Sequence, residues 1–237
     1  MSGREGAPSQ GGKSESRYNL LTSLVLVSPL FLIYQIGVLI TWPLYNGADL
    51  ITRLLIEKSN LIGYLAINVG AVAILVSIAG SRKGKDTVRP AQFVPLLLES
   101  AFYAFFLGSA IIFVMARLLR MAPPQMGGVL GNFIMSAGAG VHEELLFRLL
   151  LMNGLVMLFE GLKFGKLESF LSALVFSSTL FSAIHHLGPL GDPWSLWVFT
   201  FRLLAGIVFG VIYWYRGFAV AVYTHALYDM YVLIFRG

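Results

Sequence analysis

Ionisable side chains sit inside otherwise apolar stretches of this chain, among them Glu99, Glu143, Glu144, Arg148, His185, His186, Arg202, His225 and Asp229. The densest group is VHEELLFRLLL (residues 141–151), where His142, Glu143, Glu144 and Arg148 fall within one short apolar run. Carboxylates and imidazoles together are the reagents of general acid–base hydrolysis. One carboxylate and one histidine can activate a water, and a second histidine can stabilise the oxyanion that forms.

Spacing divides these residues into roles. Glu144 and Arg148 are four positions apart, so on a helix they share a face and can pair. Glu143 lies about 100° further round the axis and can point elsewhere, into a cavity. The same four-residue spacing joins Phe181 to His185 in FSAIHH and His225 to Asp229 in HALYD. Arg202 stands four before Gly206, and Gly206 with Gly210 forms a small-xxx-small pair that admits a neighbouring helix closely. His142 and His186 read as neighbours of the site. Glu99 is expected either to line an entrance or to pair with Arg202.

The elements that carry these residues are apolar helices. The chain is 57% hydrophobic and 12% charged, with a mean hydropathy of +0.77, outside the usual range of soluble domains. An ionisable residue at a bilayer centre costs about 2.5–3.5 kcal/mol on an insertion scale, so a group of them implies a polar cavity enclosed by helices. Seven apolar runs are long enough to span, roughly 20–43, 61–80, 91–116, 129–159, 168–187, 194–214 and 217–235. The expected fold is therefore an all-α polytopic membrane bundle of about seven transmembrane helices around a polar cavity. The fourth run is long, and a break or an interfacial lead-in is expected near Gly138–Gly140. NGADLITRLLIEKSN reads as a short amphipathic helix at the interface.

Residues 1–18 are polar and read as a disordered tail, with 19–237 as a single membrane domain. Placing the N-terminus inside puts ten Lys and Arg on the inner segments against five outside. That bias favours a cytosolic N-terminus, and a compact seven-span chain with a short polar tail is expected in a bacterial inner (plasma) membrane. The net charge of +5 is spread over short loops, which argues against nucleic-acid binding.

Several hydrolase classes are excluded. The chain has no cysteine, which removes thiolate metal sites and cysteine nucleophiles. HEELL ends in leucine where a zincin helix needs its second histidine. The Gly-Asp-Pro of GPLGDP has no upstream Tyr-Asp partner, as an aspartate intramembrane protease requires. Ser136 lacks a GxSx setting. Glutamate and histidine chemistry is what remains.

EELLFR, FSAIH and HALYD, in that order and about 40 residues apart, resemble the EExxxR, FxxxH and HxxxN/D motifs of the CPBP family of intramembrane proteases. That family includes the CAAX prenyl endopeptidases and bacteriocin-processing or immunity proteins. The resemblance covers residues 129–235 and implies an intramembrane endopeptidase in which Glu143 and His185 activate water. It further implies that His225 and Asp229 form the oxyanion side, with Glu144, Arg148 and Phe181 as scaffold and His186 and Arg202 close by. Asp229 stands where the family's eukaryotic enzymes carry asparagine, and we expect it to orient His225 by accepting from a ring nitrogen. Catalysis without a cofactor is favoured because no two ligands form a zinc-type helix pair. Were zinc used, Glu143, His185 and His225 would hold it.

The implied partner is a membrane-embedded or lipidated peptide substrate in the lipid bilayer. YQIGVLIT and NGADLITRLL resemble the myxosortase-like branch. The alternatives are a non-enzymatic membrane protein such as a bacteriocin immunity factor, and a proton-coupled transporter, although no inverted repeat is visible.

Overall fold

The computed structural model describes residues 18–41, 58, 61–80, 88–114, 129–187 and 191–235. The expected tail up to residue 17 and most of the expected interfacial helix lie outside these residues. Tyr18, at the end of that tail, is buried in the core and its hydroxyl donates to Gln92 O at 3.3 Å.

The described residues form helices and no strands. They are α1 (Leu20–Ile40), α2 (Leu61–Gly80), α3 (Phe93–Phe113, entered by the 3₁₀ turn Pro90–Gln92), α4 (Val129–Glu144), a π-helical segment (Leu145–Met152), α5 (Asn153–Gly161), α6 (Lys166–Ile184), α7 (Leu196–Arg216) and α8 (Phe218–Phe235). Among the described residues, four stretches are long and apolar enough to cross a membrane: Leu20–Ile40, Pro90–Ile111, Lys166–Ile184 and Leu196–Arg216. Leu61–Ile74 and Phe218–Ile234 are shorter apolar helices. With Ile62, Val69, Phe102, Phe106 and Leu150 all exposed on the outside, the molecule is a helical membrane bundle.

Long-range contacts fix the up-and-down course of the chain. Tyr18 against Gln92 and Arg216 against Glu99 bring the starts of α1 and α3 and the end of α7 to one end. Asn132 Nδ2 donates to Leu233 O and Ser182 Oγ to Phe199 O, which join the start of α4 to the end of α8, and the end of α6 to the start of α7, at the other.

The centre is α8, which packs on α1, α3, α4 and α7. Phe218 through Ala226 are all buried, and a helix that is apolar all round belongs in the interior. Its small residues Ala219, Ala221 and Ala226 let neighbouring backbones come close. The connection from α7 is one residue, Gly217, at φ 91. That left-handed conformation is open to glycine without a Cβ penalty, and its N–H closes α7 by donating to Tyr213 O at 2.9 Å.

The irregularity in the fourth span is not at the glycines. Gly138 and Gly140 lie within regular α4, and the helix widens to the π form only from Leu145. The glycines answer to packing: a Cβ on Gly138 would strike the Tyr34 ring, and one on Gly140 would lie 2.7 Å from Val222 O and 2.8 Å from Ala226 Cβ. They are the points at which α1 and α8 press on α4. π segments often mark functional positions, and this one carries Arg148.

Candidate active site

α4 delivers two adjacent carboxylates to the bundle interior. Glu143 and Glu144 are 2% and 0% exposed. As the i,i+4 spacing predicts, Glu144 Oε2 pairs with Arg148 Nε at 3.3 Å. Arg148 is fully enclosed: its Nη2 donates to Gly206 O at 3.1 Å, and its guanidinium lies 4.4 Å from the Phe181 ring centre and 5.8 Å from that of Phe209. A buried cation needs such partners, and aromatic faces add to them. Gly206 is what makes the approach possible, because a Cβ there would sit 3.1 Å from Phe181 and 3.4 Å from Arg148 Nη2. Gly210 likewise receives Leu174 of α6, so the paired glycines admit a neighbouring helix as their spacing predicts.

Glu143 faces two imidazoles. Its Oε1 is 3.5 Å from His185 Nε2 and its Oε2 is 3.7 Å from His225 Nε2. Each ring is held from behind. His185 Nδ1 bonds Phe181 O at 2.7 Å, and a carbonyl only accepts, so Nδ1 carries the hydrogen. His225 Nδ1 meets Glu144 Oε1 at 2.7 Å, and Phe209 stacks on the His225 ring at 4.2 Å and 16°. Both rings therefore turn Nε2 toward the same carboxylate. Asp229 Oδ2 approaches His225 Nε2 at 3.5 Å.

Glu143, Glu144, Arg148, Phe181, His185, His225 and Asp229 thus come together from four chain segments. The partner of His225 Nδ1 is Glu144, and Asp229, expected to accept from a ring nitrogen, stands on the Nε2 side. Four other residues lie elsewhere. Glu99 does not pair with Arg202: it binds Arg216 Nε at 2.5 Å, at the opposite end of α7. Arg202 pairs with Asp192 at 2.7 Å. His186 packs on Trp194 and bonds Asp192 O, outside the carboxylate cluster. His142 packs at a tilt against Tyr34 and bonds Gly138 O. Phe209 and Asp192 carry no signal in the linear sequence, since an apolar aromatic and a loop aspartate are ordinary in their local contexts.

Among the described residues no group of three or more His, Asp or Glu side chains is arranged to hold a metal ion.

The class this defines is a polytopic helical membrane protein with a buried glutamate–histidine cluster. Residues 125–231 match the family described as type II CAAX prenyl endopeptidase Rce1-like. All three motifs fall inside that stretch, which matches the CPBP/CAAX protease family. No curated protein and no solved structure matches the chain.

Proposed function

We propose that the chain is an intramembrane endopeptidase that hydrolyses a peptide bond in a membrane-anchored or lipidated substrate by a water activated between Glu143 and His185. One observation carries the reading. The Nε2 atoms of His185 and His225 face the two oxygens of one buried carboxylate at 3.5 and 3.7 Å. These separations exceed a direct hydrogen bond, and across such a gap a shared water is the natural connector.

In the proposed reaction the water oxygen attacks the scissile carbonyl while its proton passes to Glu143. The oxyanion is met by His225, which in its doubly protonated form donates from Nε2. Glu144 stabilises that charge through Nδ1, and Arg148 holds Glu144 in place. Collapse breaks the C–N bond, and the proton held by Glu143 returns to the leaving amine. Asp229 shares the Nε2 side of His225. No metal takes part in these steps. We place the protein in a bacterial inner membrane with its N-terminus in the cytosol, on the charge bias of its loops.

The test is co-expression with membrane-anchored candidate substrates. Wild type is expected to process one of them while Glu143→Ala and His185→Ala leave it intact. Equal processing by both variants would exclude the reading.

A further inference from the structure

The loop between α6 and α7 is tied to the site through Asp192. Its backbone N–H donates to His185 O at 2.8 Å. Its carbonyl oxygen accepts from His186 Nδ1 at 3.2 Å, and its carboxylate takes Arg202 Nη2 at 2.7 Å. Beside it, a Cβ on Gly191 would lie 2.8 Å from the backbone of His186 and Leu187, so the loop is pressed onto the end of α6.

That end of α6 is where His185 stands, as the residue that caps the helix. The bond from His185 Nδ1 to Phe181 O spans one turn and persists only while the last turn stays wound. Helix ends leave carbonyls without partners and fray unless something outside satisfies them. Here the outside partner is Asp192, and Arg202 anchors Asp192 to α7, a helix locked against α6 through Gly206 and Gly210.

We infer that Asp192 and Arg202 form a clasp that positions His185, making Asp192 a positioning residue for the reaction proposed above, on which this inference rests. The clasp keeps the final turn of α6 wound, which holds the hydrogen of His185 on Nδ1 and turns Nε2 to Glu143. The side chains of Asp192 and Arg202 are 50% and 24% exposed, and an ion pair so open to solvent contributes little to global stability. Its effect is local, on one ring. Arg202 also interacts electrostatically with Asp229, so Asp192→Asn is the variant that isolates the clasp.

The experiment compares the full chain in detergent as wild type, Asp192→Asn, Arg202→Gln and the double variant. Cleavage is followed with a quenched fluorescent peptide bearing a farnesylated cysteine three residues from its C-terminus. In parallel, ¹⁵N spectra of labelled histidine report the His185 ring, assigned by its loss in His185→Gln. Asp192→Asn is expected to move the His185 nitrogens toward an averaged tautomer and to lower kcat roughly tenfold at unchanged KM, the scale of effect that a small misplacement produces. Its melting temperature stays near wild type, and on the Arg202→Gln background it lowers kcat no further. His185 nitrogens unchanged in Asp192→Asn overturn the clasp, whatever the rate does. Nitrogens that move without any effect on cleavage leave the clasp standing and count against His185 as a catalytic residue.

Discussion

His225 and Glu144, 81 residues apart in the chain, share a hydrogen bond of 2.7 Å in the buried interior. Glu144 is therefore occupied on both oxygens, Oε1 by the imidazole and Oε2 by Arg148. It couples the cation of the π segment to a histidine of the central helix. A carboxylate behind Nδ1 fixes which nitrogen faces the site, and it supports positive charge when Nε2 gains a proton.

This arrangement predicts that Arg148→Met is the most destabilising change in the cluster. It leaves a carboxylate buried without its cation, and breaking such a pair costs about 3–5 kcal/mol. Thermal unfolding in detergent should show a large drop in melting temperature. Glu144→Gln should fall in the same direction and also lower kcat, since the amide cannot support charge on His225.

His185 predicts the opposite split between stability and activity. It sits at a helix end with its side chain 13% exposed, and its one short hydrogen bond runs to a carbonyl of its own turn. His185→Gln should leave the melting temperature within a few degrees of wild type and lower kcat by about 10²–10⁴, the usual contribution of a positioned acid–base group. Steady-state kinetics beside a melting curve checks both halves.

Much of this was legible in the sequence, and the division follows from physics. Hydropathy marks apolar helices because a bilayer demands about 20 such residues, and i,i+4 spacing marks pairs on one helix face, as for Glu144 with Arg148 and His225 with Asp229. Neither says which face meets which neighbour. The Glu144–His225 bond and the Glu99–Arg216 pair, 117 residues apart, depend on the rotation and register of packed helices. The expected break at Gly138–Gly140 failed for a related reason: in a membrane helix a glycine more often admits a neighbour than ends the helix.

The glycines supply a prediction about packing. At Gly140 a Cβ would meet the backbone oxygen of Val222 at 2.7 Å, and backbone yields less readily than a side chain. Gly140→Ala should cost about 1–3 kcal/mol by overpacking α4 against α8. Gly70, where an added methyl would have nothing within 4 Å, should tolerate alanine without loss. Melting curves of the two variants make the comparison.

Activation of the water by Glu143 and His185 without a metal also predicts that purified protein keeps its activity in excess chelator. Loss on stripping, with recovery on adding zinc alone, would recast Glu143, His185 and His225 as ligands.

The most direct measurement is single-turnover cleavage of a membrane-anchored peptide by purified wild type and Glu143→Gln, with folding verified by melting temperature. The amide keeps the size of the side chain and removes its capacity to take a proton. Rapid cleavage by wild type is expected, with a rate at least about 10²-fold lower for a folded Glu143→Gln. Cleavage by Glu143→Gln at the wild-type rate would contradict it.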